Sequence, residues 1–164
     1  MRELQFHTFE PVFDSNSRIL ILGTFPSVKS RESGFYYGHP QNRFWRIMAQ
    51  FFSQPTPCSI AEKKRLLFQN RVALWDVAAS CEIEGSSDSS MTRVVPNDIP
   101  KLLSESEITH VFANGKKAAQ LYNRLIYPVT ELEIVTLPST SPANAACGME
   151  SLLREWRVIL PFLI

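Results

Sequence analysis

The stretch "RILILGTFPS", Arg18–Ser27, decides the fold. Its apolar half is short and continuous rather than alternating. That pattern fits a strand buried on both faces, as in a parallel sheet. A glycine and a proline then turn the chain away. Three more runs share the pattern: "RVALWDV" (Arg71–Val77), "THVFANG" (Thr109–Gly115) and "LEIVTLP" (Leu132–Pro138). Helical spacing lies between them. Phe44, Trp45, Met48, Phe51 and Phe52 recur at helix intervals after Pro40. Ser59 and Glu62 form a capping-box pair that opens a helix through Leu66 and Leu67. Ala118, Leu121, Tyr122 and Leu125 share a face, and Met149, Leu152, Leu153, Trp156 and Leu160 make a C-terminal apolar stripe. Strands alternating with helices predict a three-layer α/β domain with right-handed crossovers. "SQPTPCS" (Ser53–Ser59) and "EGSSDSSMTRVVPND" (Glu84–Asp98) read as loops. No repeat or linker divides the chain, so residues 1–164 read as one domain.

Composition removes several classes of function. Hydrophobic residues make up 45% and charged residues 20%, enough of each for a packed globular core rather than a disordered chain. No apolar run approaches the ~18–20 residues of a membrane helix. "MRELQFHTFEPVF" lacks the unbroken apolar segment of a secretory signal. Cys58, Cys81 and Cys147 are odd in number and far apart, which argues against a disulfide framework and for a reducing, cytoplasmic setting. No Cys/His spacing suggests zinc or an iron–sulfur cluster, so no metal or cofactor is expected. Net charge is only +1, but Lys29, Arg31, Arg43 and Arg46 face a single acid, Glu32, across residues 29–46. That local excess suits a protein that touches a few phosphates; a solvated charged loop explains it equally well.

In open α/β sheets ligands bind beyond the carboxyl ends of the strands. Here those ends read "GTFPS", "WDVAASCEIEGSSDS", "ANGKK" and "LPSTSPAN", so polar and Gly/Pro-rich residues converge on one edge. Gly23 permits close backbone approach, Pro26 stiffens the turn, and Phe25 offers a face for stacking; an ordinary strand-to-loop turn is the alternative. "FYYGHPQNRFW" (Phe35–Trp45) places Asn42 at the start of the aromatic helix. Its carboxamide either holds a water or simply caps the helix. Asn114 either reads the edge of a base or satisfies a turn. The hydroxyls of Leu137–Asn144 either grip phosphates or lead into the last helix, with Asn144 or Ser141 as its cap. "GSSDSS" (Gly85–Ser90) is either a surface loop or a further contact. No Ser–His–Asp order asserts itself. No lysine near these ends sits in an apolar setting, so Schiff-base chemistry is not favoured.

In order along the chain, these segments resemble the uracil-DNA glycosylase superfamily, and within it the hypoxanthine-DNA (deoxyinosine) glycosylase family. "GTFPS" looks like that superfamily's first motif, and "FYYGHPQNRFW" is similar to its Pro-x-Asn-x-Phe-Trp element. "LWDV", "GSSDS", "NGKKA" and "LPSTSPAN" look like the later segments, so the likeness runs from about Ile19 to Trp156. The resemblance implies a four-stranded parallel sheet in an α/β/α sandwich with DNA across the strand ends. It implies a monofunctional enzyme that flips a deaminated base, chiefly hypoxanthine, and cleaves its N-glycosidic bond in base excision repair. Asn42 would then be catalytic, positioning the water that attacks C1′. Gly23, Thr24, Phe25, Pro26, Ser27, Tyr37, His39 and Asn114 would hold the base. Lys29, Ser30, Arg43, Ser86, Ser139, Thr140, Ser141, Pro142 and Asn144 would contact DNA. The partner would be double-stranded DNA carrying a damaged or mispaired base, met by a monomer that associates with the nucleoid.

The departures are informative. Uracil-removing branches carry an Asp in the first motif and a His at the start of the last, where this chain has Thr24 and Leu137. The iron–sulfur branches need four cysteines, and this chain has three. Both absences favour the hypoxanthine branch. Three rivals stand beside it: a uracil or mismatch-specific glycosylase, a damage-binding module without catalysis, and a nucleoside-processing α/β protein.

Overall fold

The structure is a computed structural model that describes residues 2–84 and 91–163. Its centre is the parallel sheet, built from β2 (Ile19–Gly23), β3 (Val72–Asp76), β6 (His110–Asn114) and β7 (Ile134–Leu137) in the order β3-β2-β6-β7. Ile19 pairs with Val72 on one side and His110 on the other, so β2 lies inside the sheet and all five of its residues are buried. The continuous apolar run of Arg18–Ser27 follows from that position. Odd residues of β2 meet one core and even residues the other.

Ile19, Ile21, Val72, Leu74 and Phe112 pack with α2 (Phe44–Phe51), α3 (Ile60–Gln69) and α7 (Met149–Trp156). Leu20, Leu22, Ala73 and Val111 pack with α4 (Ile99–Ser104) and α5 (Lys116–Leu125) on the opposite face. The capping box of α3 is present as expected, with Ser59 accepting from the Glu62 N–H and Glu62 accepting from the Ser59 N–H. Such a cap contributes about 1 kcal/mol. A short helix, α1 (Val28–Ser33), follows β2, and another, α6 (Tyr127–Thr130), follows α5.

Three features correct the sequence reading. First, a second sheet exists: β1 (Glu3–Phe6), β4 (Ala78–Ile83) and β5 (Thr92–Pro96), antiparallel in the order β1-β4-β5. The stretch Glu84–Asp98 is therefore not wholly loop. β1 and β5 are edge strands and mostly exposed, so neither carries a continuous apolar run to betray it. Second, the last helix is capped by Gly148, not by Asn144 or Ser141. Third, its apolar stripe passes at Arg157 into a 3-10 segment, Arg157–Leu163, which contains Pro161. No helix among the described residues is long and apolar enough to cross a membrane.

Candidate active site

The carboxyl ends of the four parallel strands open on a cavity of about 550 Å³, within the ~300–1,000 Å³ usual for small-ligand sites. Sequence reasoning placed most of its wall. The turn after β2 supplies Gly23, Thr24, Phe25, Pro26 and Ser27; the Phe35–Trp45 segment supplies Tyr36, Tyr37 and Asn42; β6 supplies Asn114; the last loop supplies Ser139, Thr140, Ser141 and Ala143. Gly23 has a reason to be glycine. A Cβ there would fall 2.4 Å from Asp76 Oδ1 and 3.4 Å from the Tyr37 hydroxyl. Phe25 is largely buried, with the Arg31 guanidinium 5.6 Å from its ring centre, and its ring borders the cavity.

Asn42 lies one residue before Arg43, the N-cap of α2, and faces the cavity. Its Oδ1 accepts from the Phe44 N–H at 2.9 Å, which fixes the carboxamide at the entrance to α2. The Asn42 N–H itself donates to the His39 carbonyl. His39 is only half-buried, lies outside the cavity wall, and accepts at Nδ1 from the Gln41 N–H.

Several residues expected to grip DNA or base also have partners within the protein. Arg43 directs Nε to the Thr140 carbonyl, Nη1 to that of Cys147, and Nη2 to those of Ser141 (2.9 Å) and Asn144 (3.2 Å). Four of its donor hydrogens thereby clamp the 138–147 loop to the start of α2. Asn114 is tied to the same loop: its Nδ2 donates to Thr140 Oγ1 and its Oδ1 accepts from the Thr140 N–H. Asn144 donates to the Ser139 carbonyl. Ser30 is buried, accepting from Gly38 N–H and from the Ser27 hydroxyl, while Ser27 caps α1. Lys29 is exposed beside Glu32 at 3.7 Å. Pro142 is half-buried in the last loop, and Ser86 lies outside the described residues.

Asp76 in the cavity wall and His7 behind it were not foreseen. Asp76 ends β3 and is almost wholly buried; its Oδ2 accepts from His7 Nε2 at 2.8 Å, and the His7 side chain is itself only 3% exposed. His7 comes from the unforeseen sheet, just beyond β1, and Phe9 and Tyr36 pack against its ring at 4.7 and 5.9 Å. The only sequence signal was an acid ending an apolar strand in "LWDV"; its partner lies 69 residues away. Beside Asp76, the Tyr37 hydroxyl is shut off from solvent without a hydrogen-bond partner among the described residues. Burial, reinforced by the Asp76 carboxylate and only partly offset by the Asn114 side chain, holds this phenol well above its ordinary pKa. Among the described residues no group of three or more His, Cys, Asp or Glu side chains is placed to hold a metal.

Comparison with known proteins agrees with this fold. A family model described as the uracil DNA glycosylase superfamily matches residues 10–159. A protein of Methanosarcina acetivorans named hypoxanthine DNA glycosylase is 37% identical over 138 residues, covering 83% of this chain and 86% of its own. One of Methanosarcina barkeri with the same name is 36% identical over 115 residues, covering 68% and 72%. A solution NMR structure from Methanosarcina acetivorans, provisionally described as a uracil DNA glycosylase, superposes with a TM-score of 0.81 at 33% identity, covering 94% of this chain and 96% of that one.

Proposed function

This chain belongs to the uracil DNA glycosylase superfamily, and we propose from that premise that it removes hypoxanthine from DNA as a monofunctional N-glycosylase. The observation that carries the reading is the cavity beyond the ends of β2, β3 and β6. It brings the Gly23–Ser27 turn, Asn42 and the last loop together around a space large enough to admit a purine. Residues 1–164 act as one catalytic domain, as a monomer in the cytoplasm and on the nucleoid; the three free cysteines suit that reducing setting.

The target nucleotide leaves the duplex and its base enters the cavity. Extrusion costs a few kcal/mol, least for a mispaired base such as inosine opposite thymine. The C1′–N9 bond then breaks with its electron pair moving into the purine, and the sugar acquires oxocarbenium character. A water adds to C1′ and loses a proton, giving an abasic site and free hypoxanthine. Hypoxanthine leaves more readily than adenine because its anion spreads over a lactam. Asn42 holds the water: with one lone pair of Oδ1 committed to the Phe44 N–H, the carboxamide cannot swing, and the second lone pair accepts from the water. An amide does not titrate near neutrality, so this residue places the water without acting as a strong base. Phe25 lies against the flat base, and Ser139 and Ser141 at the rim meet the phosphates on either side of the flipped nucleotide.

The test is excision from duplexes carrying inosine, uracil, xanthine or ethenocytosine, with alkali revealing abasic sites. Inosine is expected to be cut fastest and free nucleosides not at all. Asn42→Ala should lose excision by at least ~10²-fold while still binding inosine duplex, and borohydride should trap no covalent adduct. Full activity in that variant would remove Asn42 from the reaction.

A further inference from the structure

The Tyr37 hydroxyl, buried and without a hydrogen-bond partner among the described residues, and the buried Asp76 carboxylate both border the cavity. Unsatisfied buried polar groups are costly, so one kept in the wall of a ligand-sized cavity calls for a functional reason. The wall approaches both closely, since even a methyl group at Gly23 would strike Asp76 Oδ1 and crowd the Tyr37 hydroxyl.

We infer that Asp76 and Tyr37 read the N–H/C=O edge that deamination creates, with His7 as the residue that positions Asp76. The inference rests on the glycosylase reading and adds to it the means by which the damaged base is told from its parent. When a purine enters with its sugar at the mouth, the edge farthest from N9 is N1 with C6. In hypoxanthine that edge is a donor, N1–H, beside an acceptor, O6. Uracil presents the same pair at N3–H and O4, and xanthine at N1–H and O6. The floor is its complement. Asp76 is an acceptor, and Tyr37, whose phenol keeps its proton, is a donor. Adenine and cytosine present the inverse: a bare ring nitrogen whose lone pair would face the carboxylate, beside an amino group. Guanine and thymine share the lactam edge and are spared because their intact pairs make extrusion costlier.

His7 makes the acceptor directional. Its Nε2 donates to Oδ2 at 2.8 Å, while Oδ1, the oxygen nearest Gly23, has no hydrogen bond of its own among the described residues. The ring is held by Phe9, Tyr36 and, edge-on at 6.2 Å, Phe25. The donated proton also draws charge from the carboxylate, which matters because the departing base becomes anionic. The Tyr37 hydroxyl, aimed at O6, stabilises that anion directly.

The experiment separates recognition from chemistry. Duplexes carry 2′-fluoro-deoxyinosine or 2′-fluoro-deoxyadenosine, which resist cleavage, each opposite cytosine. The A·C pair is the weaker, so extrusion favours adenine, and any preference for inosine arises in the pocket. The parent protein should prefer inosine by ~10–100-fold in Kd, the worth of one or two mismatched hydrogen bonds. In Asp76→Asn the His7 proton holds the carbonyl oxygen and turns the amide donor to the base. The preference should then vanish or invert. Tyr37→Phe should weaken inosine binding ~5–50-fold with no loss of thermal stability. His7→Ala should reduce the preference, and His7→Gln, whose amide still reaches Oδ2, should restore it. An Asp76→Asn variant that keeps the parent preference would overturn the inference and leave the glycosylase reading standing. If that variant fails to fold, unchanged inosine binding by Tyr37→Phe overturns it instead. A parent protein that excises no inosine overturns the glycosylase reading, and this inference with it.

Discussion

Arg43→Lys keeps the charge of Arg43 but removes its fork, and so tests whether this residue serves the fold or the DNA. Four guanidinium hydrogens reach four carbonyl oxygens spread from Thr140 to Cys147. A lysine ammonium is a point donor and can satisfy at most one or two carbonyls so far apart. At least two charge-assisted hydrogen bonds are lost, each worth ~1.5–3 kcal/mol in full and less here because the site is part-exposed. The net loss is about 2–4 kcal/mol. For a domain of this size each kcal/mol moves Tm by ~2–4 °C, so calorimetry should find a fall of roughly 5–15 °C. Arg43→Met should be at least as unstable. Binding to undamaged duplex, followed against salt, supplies the second measurement. A phosphate contact contributes ~0.9 to the slope of log K against log salt, and Arg43→Met should leave that slope unchanged. A methionine variant as stable as the parent, with a slope shallower by ~0.9, would refute the clamp and restore Arg43 to the DNA.

Two further outcomes are expected. Gly23→Ala should reduce inosine excision by ~10²-fold or more, because its Cβ displaces Asp76 Oδ1 from 2.4 Å; single-turnover kinetics would show it, and parent-like rates would mean that the floor yields freely. Burial, aided by Asp76, raises the phenol pKa of both Tyr36 and Tyr37 above the ordinary value near 10. The unfolded chain therefore releases those protons first, and stability should be intact below pH ~10 and fall as pH rises beyond it. Ultraviolet titration should show three of the four tyrosines, Tyr36, Tyr37 and Tyr122, ionising above the ordinary range, the first two only as the protein unfolds.

Much of the site was legible because it is local. The turn at Gly23–Ser27, the helix start at Asn42 and the last loop each lie where an apolar strand or stripe ends, and a parallel sheet puts such ends on one edge. What the sequence did not show was the set of partners these side chains have within the protein. Arg43, Asn114 and Asn144 are polar residues in binding-type loops, and sequence alone cannot distinguish a side chain aimed at a phosphate from one aimed at a protein oxygen 97–104 residues away for Arg43, 26 for Asn114 or 5 for Asn144. The small antiparallel sheet escaped notice because its outer strands are largely solvated, so no periodic apolar signal marks them.

The sequence by itself determined the parallel sheet, the helices that cover it and the edge on which a ligand binds. Each follows from apolar periodicity and from the turn chemistry of neighbouring residues. Only the tertiary structure decided what stands at the floor of the cavity. His7 and Asp76 are 69 residues apart, and they meet because β4 leaves the end of β3 and pairs with β1. The reason is physical: periodicity reports which face of an element is buried, whereas the pairing of two buried polar groups depends on how separate elements are docked.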